Sequence, residues 1–518
     1  MRSFGTALNT TMKIKLIIWD LDETLWHGTL AEGDDVVLIE RRAESIRKLN
    51  ESGIVSAICS KNDPAQAQAK LEELGLWEAF VFPRISFVPK APVLAQMIED
   101  MQLRPVNVLF VDDNVHNLNE AKHLLPDLQI IDASTDVCDA LLDDLVEKNK
   151  DVHKSRVESY RILEKKAQDR EVAHQSTEDF LRACDIHVCL VQRTDALDFA
   201  PRIEELLNRS NQLNFTKSRM KEGEGEAMIV QGQRFYSIAV FVWDKYGYYG
   251  LVGFAGVEKF KDLTHFAFSC RIMHMGIENW VLARIQELLP QVRHIRVPVS
   301  PSKPEWITEE LYQDSAVRQK IWAQEFPDVK VETKLRFIAN CQSGALAHFS
   351  GLAPVSEFDN TAFYFELRRL IKGDGKKHVF PPYLVFAAFV DYGKDWPGAT
   401  VEQEAVVFEK CVRQFCSFVG QNKIKMFLII PPEDAPEDKF QPENQLTRER
   451  VILFNDAWRR AAREFPDITS LEVASMANPD EMVDVRHYGI TLLKKISDQI
   501  ASWYAQVSDD GQRIREVG

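Results

Sequence analysis

Short apolar runs that close on polar clusters, with amphipathic stretches between them, repeat from Lys13 to about Leu145. KIKLIIWD, IVSAICS, AFVFPRISFVP and NVLFVDD predict strands; RRAESIRKLNESG, DPAQAQAKLEELGLW and KAPVLAQMIEDMQL predict the helices between them. This alternation predicts an α/β unit over residues 13–145, a doubly wound parallel sheet that binds ligands at the carboxyl ends of its strands. Residues 146–183 are charged, lack Gly and Pro, and predict a helical connector of one long helix or two. From 184 to 328, helical stretches (DFAPRIEELLNRSNQL, ENWVLARIQELL) mix with strand-like runs (FYSIAVFVWD, YYGLVGFAGVEKF, HFAFSCRI). From 329 to 518 the strands KLRFIAN, YLVFAAFVDYG, KIKMFLIIPP and ITSLEVAS again alternate with helices, which predicts a second α/β sheet. PPEDAPEDKFQPENQ within it reads as a surface loop.

Composition narrows the classes. The chain has 518 residues, 45% hydrophobic and 27% charged, an ordinary soluble composition long enough for about three domains. A formal net charge of -15 argues against nucleic-acid binding as the main activity and leaves small anionic or acyl substrates open. The cysteines are Cys59, Cys138, Cys184, Cys189, Cys270, Cys341, Cys411 and Cys416. They form no CxxC pair and read as reduced thiols of a cytoplasmic protein. The N-terminal stretch MRSFGTALNTTMKIKL lacks the apolar core of a signal peptide, and its first dozen residues read as a frayed tail. No stretch approaches the roughly 18 uncharged apolar residues of a membrane span.

Asp20 and Asp22 stand two apart straight after an apolar strand, so in a continued strand both point to one face. Crowded carboxylates repel, and burying them demands a cation. AICSKND ends its strand in Ser60, FVPKAP supplies Lys90, and VLFVDDN ends in Asp112 and Asp113. Carboxylates, a hydroxyl and an ammonium at converging strand ends suit Mg²⁺ and a phosphoryl group, hard oxygen ligands matching a hard cation.

DLDET, Ser60, Lys90 and the Asp112–Asp113 pair, in this order, resemble the four motifs of the haloacid-dehalogenase (HAD) superfamily. The resemblance implies Asp20 as the nucleophile that accepts a phosphoryl group and Asp22 as the general acid/base. It implies Ser60 and Lys90 as phosphate holders, and Asp20, the backbone carbonyl of Asp22, Asp112 and Asp113 as the Mg²⁺ shell. Trp26, in TLWHG, is unusual for a generic phosphatase of that superfamily.

LLNRSNQLNFTKSRM, DKYGYYGLVGFA and FSCRIMHMGIE resemble the segment that follows the HAD domain in the FkbH-like branch, subclass IIIC, over about residues 13–290. That branch loads glyceryl units from 1,3-bisphosphoglycerate onto carrier proteins. The resemblance implies an acetyltransferase-like α+β fold for 184–328, an acyl carrier protein with its phosphopantetheine thiol as partner, and Cys270 as an acyl-carrying thiol beside Arg271. The residues alone also allow Cys270 to be a core cysteine closing an apolar strand. His274 stands where that branch typically has glycine. Asn211, Gln212, Asn214 and Thr216 are candidates for polar recognition or backbone capping.

FIANCQSGALAHF and DVRHYGITLLKKI, one early and one late in residues 329–518, resemble the SGNH hydrolase/acyltransferase fold in its WcbI-like variant, where cysteine replaces serine. This implies Cys341 as nucleophile, His487 as general base and Asp484 as the group orienting the imidazole, with Ser343 as competing nucleophile. The oxyanion motif of that fold is not intact: YGKDW offers Gly393 and Asp395 around Lys394. Cys341 as a core residue and His487 as a capping side chain are the alternative from the residues alone. Together the three units suggest Mg²⁺-dependent transfer of a glyceryl or similar acyl group from a small phosphorylated metabolite to a thiol, and onward to an acceptor. A phosphomonoesterase and a non-catalytic carrier-binding assembly subunit are the rival expectations.

Overall fold

The computed structural model describes residues 14–152, 155–172, 176–232, 234–292, 297–358, 367 and 380–508. The N-terminal tail read from the sequence, 1–12, lies outside them. The chain divides into two compact units: residues 1–184 with 245–247, and residues 185–244 with 248–518.

The first unit is built on β1 (Leu16–Trp19), whose four side chains are all fully buried. They are unbroken apolar residues because a parallel strand between two neighbours meets core on both faces. After it come a small antiparallel pair, β2 (Trp26–His27) and β3 (Val37–Leu38), and then β4 (Val55–Ser60), β5 (Phe80–Ile85), β6 (Val108–Asp112) and β7 (Gln129–Asp132). The five longer strands form a parallel sheet in the order β5-β4-β1-β6-β7, with Trp19 opposite Ile58 on one side and Val111 on the other. Strand order therefore reverses at β1, and the crevice outside the carboxyl ends of β1 and β6 is where such a sheet receives ligands.

Two helices lie within the expected connector, and a third runs into its start. Helices span Asp136–Asn149, Val157–Val172 and Thr177–Arg182. The last starts at Ser176, whose hydroxyl accepts the Asp179 N–H at 3.2 Å as an N-cap.

The second unit holds two sheets. β8 (Ile186–Gln192), β9 (Phe235–Asp244), β10 (Gly247–Glu258), β11 (Asp262–Phe268) and β12 (Ile307–Glu310) lie in the order β11-β10-β9-β8-β12, antiparallel at β8–β9 and β10–β11 and parallel at β8–β12. β13 (Leu335–Ile338), β14 (Ser356–Phe358), β15 (Tyr383–Ala387), β16 (Lys425–Ile430) and β17 (Ile468–Glu472) form a fully parallel sheet in the order β14-β13-β15-β16-β17. One hydrophobic core runs through both, from Phe241 and Phe254 by way of Trp322 to Phe386, Trp458 and Ile496. The α/β character with parallel sheets is as the periodicity predicted. No helix among the described residues is long and apolar enough to cross a membrane.

Candidate functional site

Asp20 leaves the carboxyl end of β1 and is nearly buried, its N–H bound to the Val111 carbonyl at 2.9 Å. Lys90, at the start of the helix Lys90–Asp100 and 2% exposed, brings its ammonium to Asp20 Oδ1 at 2.7 Å and Asp112 Oδ2 at 2.6 Å. Burial disfavours that ammonium, but the two carboxylates outweigh it and hold Lys90 above its ordinary pKa. Asp20 moves the other way from a salt-bridged acid. Burial first, and the Asp112 charge with it, outweighs the shared ammonium and raises Asp20 to about 6. Burial, followed by repulsion from Asp112, likewise raises Asp113. Ser60, buried at the end of β4, hydrogen-bonds Asp20.

Each of Asp20, Asp112 and Asp113 offers an oxygen within 4.8 Å of the others. As carboxylates with one ammonium they leave two negative charges uncompensated, and their all-oxygen donor set fits a hard divalent cation such as Mg²⁺. The Asp22 carboxylate is not part of this group. Its Oδ1 accepts from Trp26 Nε1 at 2.8 Å and Leu30 N–H at 3.0 Å, and its Oδ2 accepts from Asn62 Nδ2 at 2.8 Å. Trp26 thus has a task that its position in the sequence only hinted at.

Residues outside the expected set brace the loops. Thr24 Oγ1 accepts the Asp113 N–H at 3.1 Å, tying the loop after β1 to the loop after β6. Arg42 donates to the carbonyls of Thr24 and Ala133, both at 2.6 Å, and pairs with Asp139 at 2.9 Å. Asn117 donates to both Asp112 oxygens.

In the second unit, Cys270 follows β11 and is half-buried at the start of a 3-10 turn whose N-cap, Ser269, accepts from Arg271 Nε at 3.1 Å. His274 has φ +63°, the left-handed backbone that glycine adopts without strain, which accounts for glycine being suited to that position. Asn214 is fully buried and donates to the Ser218 and Leu207 carbonyls, while Thr216 Oγ1 accepts the Phe266 N–H at 3.0 Å. Those two are backbone braces. Asn211 accepts from Arg219 Nη2 at 2.7 Å, and Gln212 is exposed.

Cys341 lies just past the end of β13, where strand order reverses between β13 and β15. The preceding Asn340 has φ +51°, a strained turn that asparagine tolerates better than most residues. Ser343 is fully buried; its Oγ accepts the Ala339 N–H at 2.9 Å and donates to the Asn340 carbonyl at 3.0 Å, closing the turn rather than presenting a nucleophile. His487 hydrogen-bonds Asp484 Oδ2 through Nδ1 at 2.7 Å and also engages the Cys341 sulfur. Burial opposes charge on both partners. Even so, the pairing holds His487 up at about 9 and Asp484 below its ordinary value. An imidazole at about 9 carries a proton at neutral pH, so His487 stands beside the Cys341 sulfur as an imidazolium rather than a free general base.

Two glutamines that the sequence did not single out assemble this group. Gln342 donates from Nε2 to the Arg486 carbonyl and accepts the Tyr488 N–H at 3.0 Å, clamping the turn on either side of His487. Gln441, from the stretch read as a surface loop, donates to Asp484 Oδ2 at 2.8 Å. Thr194 Oγ1 donates to the Cys341 carbonyl at 2.9 Å. Gly344 allows that approach, since a Cβ there would stand 2.8 Å from the Thr194 carbonyl carbon. Gly393 packs near Arg486, while Asp395 is engaged by Gln445 and the Lys394 carbonyl by Arg450.

No family model and no curated protein matches the chain. Among solved structures, it is similar to the N-terminal part of protein BF1531 from Bacteroides fragilis, containing a phosphatase domain and complexed with Mg. The identity is 19%, over 28% of this chain and 42% of that one, with a TM-score of 0.23. It is also similar to a HAD-superfamily hydrolase from Ehrlichia chaffeensis (12% identity, 26% and 99% covered, TM-score 0.22). A third is 3-deoxy-D-manno-octulosonate 8-phosphate phosphatase from Moraxella catarrhalis, crystallised with magnesium and phosphate (16%, 27% and 89%, TM-score 0.21). At these scores the chemistry of the chain rests on its own geometry.

Proposed function

We propose that the chain transfers a glyceryl or similar acyl group from an acyl phosphate such as 1,3-bisphosphoglycerate to a thiol, either Cys270 or the phosphopantetheine thiol of an acyl carrier protein. The observation that carries this reading is the Lys90 ammonium seated between Asp20 and Asp112 at the crevice of a parallel sheet. Asp20, Asp112 and Asp113, with the Asp22 carbonyl, would hold Mg²⁺, which when bound neutralises the carboxylates and phosphate oxygens. Ser60 and Lys90 orient the phosphate. The thiol sulfur bonds to the acyl carbon, the carbon–oxygen bond to phosphate breaks, and the thiol proton ends on the phosphate. Asp22 accepts three N–H donors, which fix the orientation of its carboxylate.

In the same reading, the Cys341–His487–Asp484 group passes the acyl unit to an acceptor. Incubation with 1,3-bisphosphoglycerate and Mg²⁺ should give a glyceryl adduct by intact mass that is absent in Cys270→Ala or appears on an added carrier protein. Rapid release of phosphate from aryl phosphates, with no adduct on either thiol, would establish the phosphomonoesterase instead.

A further inference from the structure

Arg486 stands between Asp484 and His487 in the turn that delivers the imidazole to Cys341, and Gln342 pins its backbone. Its Nη2 donates to Gln441 Oε1 at 2.7 Å, while its Nε is sealed from solvent with no hydrogen-bond partner among the described residues. Three other buried or half-buried guanidiniums have carboxylates: Arg42 has Asp139, Arg450 has Glu404, and Arg459 has Glu472 and Glu433. Arg486 forms no ion pair among the described residues. The nearby acid, Asp484, is already saturated by the backbone N–H groups of Arg486 and His487, by His487 Nδ1 and by Gln441 Nε2. Burial pulls Arg486 below its ordinary pKa, although the charges of Asp484 and Cys341 pull the other way. On its other side the guanidinium meets Gly393, where a Cβ would stand 3.7 Å from Nη1.

A half-buried guanidinium with an unsatisfied N–H and no ion pair of its own has room for a further anionic partner, and guanidinium is the side chain best matched to a planar carboxylate or a phosphate. We infer that Arg486 is a specificity-determining residue of the Cys341 site, binding a carboxylate or phosphate oxyanion on the molecule whose acyl group Cys341 receives. The inference rests on Cys341 being the nucleophile of the third sheet, and it adds the substrate class: acyl groups that carry negative charge.

Two electrophiles of nearly equal size test it on the full-length chain. Iodoacetate carries a carboxylate and iodoacetamide does not; with either, the Cys341 sulfur bonds to the methylene carbon as iodide leaves. Rate constants are read at Cys341 by peptide mass mapping, and the quantity compared is the iodoacetate-to-iodoacetamide ratio, which cancels changes in thiol exposure. Arg486→Met should lower that ratio roughly tenfold while the His487 charge is retained, and Arg486→Lys should keep part of the preference. Competition by inorganic phosphate against acetate then tells the two oxyanions apart: protection by phosphate alone assigns a phosphoryl group, protection by acetate alone a carboxylate. An unchanged ratio in both Arg486 variants overturns the inference and leaves the nucleophile reading standing. A Cys341 that neither reagent labels overturns both.

Discussion

Strand order reverses at β1–β6 in one parallel sheet and at β13–β15 in the other, and at each reversal the chain leaves the sheet into a candidate site, at Asp20 in the first and Cys341 in the second. The two crevices differ in how charge is settled. Around Asp20, groups from three strand ends converge on a cluster that still lacks positive charge after Lys90 is counted, so the sheet itself assembles a site that calls for a cation from outside. Around Cys341, one strand end meets a distant turn, and the thiol, imidazole and carboxylate settle their charges among themselves. One topology thus carries either an acidic cluster short of positive charge or a cysteine beside a charged imidazole, according to which residue follows the strand.

The comparison breaks most visibly at Asp20. Asp20→Asn should reduce phosphate release from an acyl phosphate by about 10³-fold or more while leaving Cys341 alkylation unchanged. Equal losses at both sites would show that they are not chemically separate. Next in size, Lys90→Met leaves Asp20 and Asp112 buried without their ammonium, which should cost about 3–5 kcal/mol in urea unfolding of the first unit. Added Mg²⁺ should recover part of that loss by binding the native state, and no recovery would argue against a cation at these carboxylates.

The first site was legible because its chemistry is local: Asp20, Ser60, Lys90 and Asp112 each follow or open an element whose periodicity is plain. What the sequence hid are the braces. Gln342 reaches Arg486 across 144 positions, and Gln441 reaches Asp484 across 43. No periodicity encodes such pairings. The loop holding Gln441 is polar in composition, yet it buries Ala435 and Phe440, two apolar residues that were the available signal. Arg42 was hidden for another reason: on an amphipathic helix an arginine reads as solvent-facing, whereas here carbonyls at two loop positions and Asp139 receive it.

The thiol site should announce itself in the pH dependence of stability. His487 rises from its ordinary 6.5 to about 9 on folding, so its contribution is complete below about 6.5 and is lost as pH climbs through 9. Asp484 is lowered on folding and contributes above its ordinary 3.8, fading as pH falls below it. The pair therefore favours the fold most between about pH 4 and 6.5, and denaturant titrations should show roughly 1–3 kcal/mol lost toward pH 9. His487→Gln should flatten that alkaline limb. A limb that persists unchanged would assign the titration to another group and remove the contrast in charge settlement drawn above.

The smallest effect separates two roles for Trp26, which is fully buried and donates its indole N–H to Asp22. Trp26→Phe keeps most of the apolar body and deletes only that donor, so stability should fall by about 1 kcal/mol. If the hydrogen bond also steers the Asp22 carboxylate, kcat for phosphate release should drop several-fold with KM nearly unchanged, because the phosphate holders Ser60 and Lys90 are untouched. A loss of stability without a fall in kcat would mean that Leu30 N–H and Asn62 suffice to aim Asp22, and that the tryptophan serves the core alone.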